Sequence, residues 1–392
     1  MSSSRPAPAD AVIVEEIVRL FEKRYDAAVE ALGRFNLAVF GKTGAGKSTL
    51  VNAIFGADVA PVGTGRPVTP ALTHYVHPTS PIGIYDSRGF ETGDSQESIL
   101  SELRQIVEST RSKPIAEHIH AVWYVLRWSD RRIEDTQADL IRELHALGLP
   151  VVVVLSQVPV KEGRHHPDAE AFADYIRSLQ LPIRPANMVY LTNAERDDFN
   201  GYPVHGLQQL LEGTFRVVPD VVHKALIAAQ RIDLARKRSR AITIVSAASV
   251  TAGAIGAIPI PFSDAIALVP AQVTMIATIS AAYGMNIPKA RIAALVGSVV
   301  MVGGATGLGR YVATNLLKLV PGGQIVGAAV SGATAALLTT AIGRGWIAVC
   351  EQLLLDGGTI DDLDLLQERF KEEVRRNIAG RGSAPGSETP AP

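Results

Sequence analysis

The sequence predicts two architectures in series: an α/β domain on a mostly parallel sheet covered by helices, then an all-α hydrophobic helical domain. Three observations predict it. Short apolar runs alternate with helical patterns from Phe35 to Leu191, as in a sheet wound with helices on both faces. A glycine-rich loop, Gly41-Lys42-Thr43-Gly44-Ala45-Gly46-Lys47-Ser48, separates the first apolar run from the first helical stretch. Beyond Arg240, four stretches of 23, 24, 18 and 25 residues carry no charged residue, against the ~20 residues that cross a bilayer as a helix.

Composition narrows the function classes. At 392 residues the chain has room for two or three domains of ~150 residues. A formal charge of −1 gives no bulk attraction to nucleic acid. The single Cys350 excludes an intrachain disulfide framework and a cysteine-rich zinc site, and suits a reducing, cytoplasmic compartment. Met1 to Asp10 is polar and proline-rich, unlike a signal peptide. The nine histidines show no spacing that places two metal ligands on one helix face; His165-His166 lies in a polar stretch.

Taken in order, Val12, Ile13, Ile17, Leu20 and Phe21 fall on one side of an amphipathic helix over residues 11–32, expected to pack on the domain that follows. Strands are predicted at Phe35–Phe40, Thr73–His77, Ile82–Tyr85, Ile119–Leu126, Val151–Leu155 and Met188–Leu191. Helices fall between them at about residues 49–56, 96–111, 134–147 and 168–180. An unbroken apolar run such as Val151-Val152-Val153-Val154-Leu155 suits a strand buried on both faces. The expected boundaries are 1–33 for the first helix, 34–215 for the α/β domain, 216–240 for a basic linker helix, 241–355 for the hydrophobic domain, 356–378 for an amphipathic helix and 379–392 for a disordered tail.

The glycine-rich loop has the fixed positions of a P-loop, in the strand–loop–helix context that motif requires. From Gly41 through Lys42, Thr43, Gly44, Ala45, Gly46, Lys47 and Ser48 to Thr49, backbone N–H groups can turn toward phosphate oxygens at the positive end of the next helix. Lys47 supplies charge to the β- and γ-phosphates, and the Ser48 hydroxyl joins a Mg²⁺ shell. The Lys42 side chain is expected to face solvent. Asp86-Ser87-Arg88-Gly89 ends a strand, placing the Asp86 carboxylate for Mg²⁺ and the Gly89 N–H for a γ-phosphate. In the loop Gly65-Arg66-Pro67-Val68-Thr69-Pro70, Thr69 can close over the metal and γ-phosphate.

These residues, with Asn52-Ala53-Ile54-Phe55-Gly56 and Tyr85-Asp86-Ser87-Arg88-Gly89-Phe90, resemble P-loop NTPases of the Era-like, septin and immunity-related GTPase neighbourhood, over about residues 34–215. The resemblance implies GTP and Mg²⁺, catalytic roles for Lys47, Thr69 and Gly89, metal contacts from Ser48, Thr69 and Asp86, and base contacts from Ser156, Gln157, Asn193 and Ala194. Two departures qualify it. Where such proteins carry an Asn/Thr-Lys-x-Asp motif that reads guanine, this chain has Ser156-Gln157-Val158-Pro159, without the carboxylate. Where Ras-like enzymes place a water-orienting Gln, it has Phe90, with Arg88, Glu91 and Thr92 nearby. Hydrolysis is therefore expected to be slow and to depend on a partner or on dimerisation.

In the second half, a helix from about Gly206, interrupted at Pro219 and resuming from Asp220, ends in Arg231, Arg236, Lys237, Arg238 and Arg240. That cluster suits the cytoplasmic flank of a membrane segment or a solvated helix end. Gly303-Gly304-Ala305-Thr306-Gly307 has small residues spaced for close helix contact. The stretches are also rich in Ala, Gly, Ser and Thr and broken by Pro259, Pro261, Pro270 and Pro321, as in a tightly packed soluble bundle. Ser263-Asp264 reads as a helix start with Asp264 as cap, Gly284 as a helix end, and Pro321-Gly322-Gly323 as a turn. The run Ile258 to Gln272, with Tyr283-Gly284, resembles an uncharacterised helical domain found behind bacterial Era-like G domains, which implies membrane association. After Glu351, Leu363, Leu366, Phe370 and Val374 share a helical face.

The combined expectation is a cytoplasmic, membrane-associated GTP-binding protein whose nucleotide state is coupled to a helical domain. Its partners would be a guanine nucleotide, a membrane, and an activating protein or second copy. A non-hydrolysing nucleotide-dependent scaffold and an ATP-binding P-loop protein are the alternatives.

Overall fold

Strands and helices alternate through Leu32–Asp233, which forms one of two compact units; Met1–Ala31 and Leu234–Pro392 form the other. The structure, a computed structural model, describes residues 8–56, 59, 72–87, 94–256, 264–285, 332–356 and 363–379.

The α/β unit carries a six-stranded sheet of β1 (Phe35–Phe40), β2 (Leu72–Val76), β3 (Ile82–Ser87), β4 (Ala121–Arg127), β5 (Val151–Ser156) and β8 (Val189–Leu191), in the order β2-β3-β1-β4-β5-β8. A separate two-stranded hairpin pairs β6 (Val160–Lys161) with β7 (Arg164–His165). The edge strand β2 runs antiparallel to β3, and every other pair in the large sheet is parallel. On β2, His74 pairs with Tyr85 and stacks on its ring at 4.0 Å.

Side chains alternate between two cores, as strand geometry dictates. Leu37, Val39, Trp123, Val125, Val152 and Val154 face α2 (Lys47–Phe55), α6 (Leu207–Phe215) and α7 (His223–Ala229). Ala38, Phe40, Val122, Tyr124, Val153 and Leu155 face α3 (Asp94–Thr110), α4 (Asp135–Ala146) and α5 (Pro167–Ser178). Coverage on both faces explains why β1 and β5 contain no exposed residue. One buried polar side chain is satisfied on both ring nitrogens. His120 accepts from the Asn36 N–H through Nδ1 (2.8 Å), while its Nε2 meets the Ile115 carbonyl (2.7 Å), which fixes the proton on Nε2. Burial pushes its pKa down.

The helical unit contains α1 (Pro8–Leu32), α8 (Leu234–Gly256), α9 (Asp264–Tyr283), α10 (Gly332–Leu355) and α11 (Leu363–Ala379). Here one expectation changes: α1 clusters with these helices rather than with the α/β unit, its Tyr25 hydroxyl donating to the Met285 carbonyl at 3.0 Å. Helices α8 and α10 approach closely at Gly343, where a Cβ would meet Val245 and Met275 side chains, and Ser249 and Thr340 hydroxyls bond at 2.8 Å. Trp346 donates to Ser280 Oγ at 2.9 Å and meets the Phe370 ring edge-on. Helix α9 starts at Asp264 and ends before Gly284, whose φ of +64° permits paired closing bonds, Gly284 N–H to Ala281 O and Met285 N–H to Ser280 O.

The predicted linker helix is broken. A 3₁₀ turn (Asp220–Val222) leads into α7, and Gln230–Asp233 separates α7 from α8, the Gln230 side chain bonding the backbone of Asp233 in both directions. The basic cluster is largely spent inside the fold. Arg231 lies across Gly56, Lys237 is buried and donates to the Tyr283 carbonyl at 3.0 Å, and Arg238 makes a bidentate pair with Glu351. Glu351 also accepts from the Tyr283 hydroxyl at 3.0 Å. Ile258–Ser263, Gly303–Gly307, Pro321–Gly323 and the tail after Ala379 lie outside the described residues.

Candidate functional site

The carboxyl ends of β1, β3, β4 and β5 converge on one loop. β1 ends at Phe40, and Gly41 follows with φ +143°; a Cβ there would be driven into the Val125 carbonyl of β4. Only glycine lets the chain pass this close to a neighbouring strand. Gly44 and Gly46 also take positive φ, at 77° and 81°, and Gly46 caps α2, so that Lys47, Ser48 and Thr49 form its first turn. Their amides sit at the positive end of that helix, the arrangement that accepts a phosphate.

Lys47 curls back over the loop, its Nζ donating to the carbonyls of Gly41 (2.8 Å) and Lys42 (3.1 Å). The ammonium is thus held above the loop, where a nucleotide's phosphates would meet it. The β1–β3 register pairs Val39 with Asp86, which brings this carboxylate to the sheet end beside the loop. Burial raises the Asp86 pKa, and the charge on Lys47 opposes that rise. Ser48 and Asp86 supply hard oxygens, the donor set that suits Mg²⁺ when phosphate oxygens and water complete the shell. Among the described residues, no group of three His, Cys, Asp or Glu side chains could hold a metal unaided. Thr69, Arg88, Gly89, Phe90, Glu91 and Thr92 lie outside the described residues.

Lys42 is not simply solvated: its Nζ pairs with Glu134 at 2.7 Å. That hydrogen bond holds the Glu134 carboxyl below its ordinary range. Glu134 also caps α4, its own N–H bonded to Gln137 at 2.9 Å. Beside the loop, Lys42, Thr43 and Ala45 share a polar cavity of about 430 Å³ with Arg127, Asp130 and Arg132. The sequence reasoning missed these two arginines. The available signal was Arg127-Trp128-Ser129-Asp130-Arg131-Arg132, a basic tract at the carboxyl end of a strand, where α/β sheets bind ligands.

On the other flank, a cavity of about 560 Å³ brings Gly46 and Thr49 together with Ser156, Gln157, Asn193 and Ala194. All four base-side expectations therefore meet at the loop, and their hydrogen bonds assign them distinct local roles. Ser156 donates to the Ala45 carbonyl at 2.6 Å and to Leu126 O at 3.2 Å, tying β5 to the loop. Gln157, at φ +57°, lays its amide over the loop and donates to Gly44 O at 3.0 Å. Asn193 uses its side-chain amide to hold Glu195 O (2.7 Å) and Pro203 O (2.9 Å). Pro159 lines the same cavity and brings no carboxylate.

Residues 37–123 match the dynamin family model, and residues 223–375 match a domain of unknown function, DUF697. No curated protein matches the chain. Similar solved structures include a probable GTP-binding protein EngB (18% identity, TM-score 0.33, covering 46% of this chain and 97% of that one). Era from Aquifex aeolicus bound to GDP.AlF4⁻ is 15% identical, with TM-score 0.34, covering 54% of this chain and 68% of that one. Toc33 from Arabidopsis thaliana in complex with Mg²⁺ and GMPPNP is 17% identical, with TM-score 0.33, covering 54% of this chain and 93% of that one.

Proposed function

We infer that this chain, a GTPase-family domain joined to a helical domain of unknown function, binds GTP with Mg²⁺ and hydrolyses it slowly. The observation that carries the reading is the convergence of Lys47, Ser48 and Asp86 on a loop whose glycines and helix start are arranged for phosphate. Lys47 would neutralise the β- and γ-phosphates, Ser48, Thr69 and Asp86 would hold the metal, and Gly89 would bond the γ-phosphate. Bound Mg²⁺ supplies charge neutralisation between the phosphates; the chain's own residues orient and enclose them.

Slow turnover follows from Phe90 at the water-orienting position. Arg132, its side chain 77% exposed and paired with Glu134 at 3.9 Å, lines the cavity beside the loop and would be the cation to meet phosphate when a partner or second copy covers the loop. Nucleotide state would be read out by the segments around Thr69 and Asp86–Phe90 and passed to a membrane-associated helical domain. Helices α8 and α10 have the length and composition to cross a membrane, a test that a buried core helix also passes; what supports the association is the outward face of α8, whose most apolar window is only 28% buried.

Calorimetry with GTP and ATP, using Lys47→Ala as the binding-deficient control, tests the reading. GTP should bind at least tenfold more tightly; equal or stronger ATP binding would sink the assignment. Turnover measured over a range of protein concentrations, with and without liposomes, should rise with concentration or lipid. No hydrolysis under any of these conditions would favour a nucleotide-dependent scaffold.

A further inference from the structure

The missing carboxylate at Pro159 leaves the base side without its usual reader, yet the cavity wall contains a braced arch that no motif announces. Asn193 and His205 exchange both backbone hydrogen bonds at 3.0 Å, closing the arch at its base. Higher up, Asp197 and Tyr202 are bridged the same way at 3.0 and 3.1 Å. The Asp197 carboxylate is consumed in holding the tip, accepting from Phe199 N (3.1 Å), Asn200 N (3.0 Å) and Asn200 Nδ2 (2.7 Å). Its neighbour is in a different position. Asp198 lines the cavity, its side chain is 85% exposed, and it pairs with Arg196 at 2.8 Å. Arg196 lines the same cavity and is itself 75% exposed.

An exposed pair of this kind opens at little cost, and its two ends match the edge of guanine. Guanine presents an O6 acceptor and an exocyclic N2 amine donor, with N1–H between them; adenine presents an N6 amine where guanine has O6. We propose that the arch is the base reader of this chain, with Asp198 accepting from N1–H and N2–H of guanine and Arg196 donating to O6. The inference rests on the GTP reading above and names the residues that would make the nucleotide a guanine one. Gln157, pinned over the loop by Gly44 O, lines the same cavity. The bracing by Asp197 means that little loop entropy is lost when the base enters.

The test is nucleotide affinity of the full chain, by calorimetry, for GTP, ATP and XTP. Asp198→Ala should weaken GTP by about tenfold or more, the discrimination a bidentate contact supplies, and leave ATP unchanged. Asp198→Asn should lose GTP and gain XTP, because its amide can donate to the O2 of xanthine. Arg196→Ala should weaken GTP with ATP again unaffected. Unchanged ATP binding separates base reading from collapse of the arch, and Asp198 is exposed enough for its variants to fold. If the native chain prefers GTP and the Asp198 variants keep that affinity within about twofold, the base reader lies elsewhere and only this inference fails. If the native chain binds ATP as well as GTP, the guanine reading fails and takes this inference with it.

Discussion

Ser156→Ala probes how the sheet organises the phosphate loop. Ser156 is 4% exposed and Ala45 3%, so the bond from Ser156 Oγ to the Ala45 carbonyl at 2.6 Å is shielded from water. Replacing the hydroxyl by hydrogen leaves a buried carbonyl without that donor, which costs about 1–3 kcal/mol, or roughly 5- to 150-fold in an equilibrium constant. Where the cost is observed depends on when the loop becomes ordered. A loop set before nucleotide binds would show it as lost folding stability; a loop that sets around the phosphates would show it as lost affinity. Urea denaturation and calorimetric titration with nucleotide should together recover a total of about 1–3 kcal/mol. Val153→Ala is the control: it removes buried methyl groups from the same strand without touching the hydrogen bond to the loop, at about 1–3 kcal/mol, and should leave affinity intact. If Ser156→Ala changes neither quantity, or Val153→Ala weakens nucleotide binding equally, the reasoning is refuted.

Three further outcomes follow from the packing. Gly343→Ala would place a Cβ 2.5 Å from Val245 Cγ2 and 3.0 Å from Met275 Sδ; the overpacking should cost the helical unit about 1–3 kcal/mol, and Val245→Ala in the same chain should restore part of it, measured by circular-dichroism melting. Glu351→Ala removes the acceptor of Arg238 and Tyr283. Because Arg238 remains 60% exposed and stays hydrated, the loss should be about 1–3 kcal/mol, less than for a fully buried pair. The third concerns pH. Burial lowers the His120 pKa in the folded chain from 6.5, so below about pH 6.5 the unfolded chain takes up a proton that the native one refuses. Stability of the α/β unit should therefore fall with acidification through that range, by at most ~1.4 kcal/mol per pH unit from this group. His120→Asn should flatten the slope in urea titrations at pH 7.5 and 5.5; an unchanged slope would count against the buried neutral imidazole.

The α/β half was legible because its signals are local. An all-apolar run such as Val151–Leu155 allows few readings other than a strand buried on both faces, and the glycines at 41, 44 and 46 mark conformations that other residues rarely adopt. The base side was harder to read. Ser156, Gln157, Asn193 and Ala194 do meet in one cavity, yet motif spacing cannot say that the Ser156 hydroxyl is spent on the loop or that Asn193 braces an arch. Nor could it show Arg196 and Asp198 as a pair on the cavity wall, because an Arg-x-Asp spacing in a polar loop has no periodicity to expose it. Lys42 was read as solvent-facing because Glu134, its partner, lies 92 residues away in sequence. Pairings over that distance are products of topology, and composition carries no trace of them.

The helical half shows a different limit. Charge-free stretches and an adjoining basic cluster are read the same way whether the helix meets lipid or protein, because hydropathy records only transfer out of water. Packing separates the cases. In α10, 61% of the most apolar window is buried, with Trp346, Cys350 and Gly345 turned into the unit; its composition is accounted for by helix contacts. In α8 only 28% is buried, and Ile242 and Val250 stand 46% and 75% exposed. The cations that would have flanked a membrane segment are engaged elsewhere: Lys237 on the Tyr283 carbonyl, Arg238 on Glu351. A case for lipid contact therefore rests on the outward side chains of α8 rather than on the length of its uncharged run or the positive charge that precedes it.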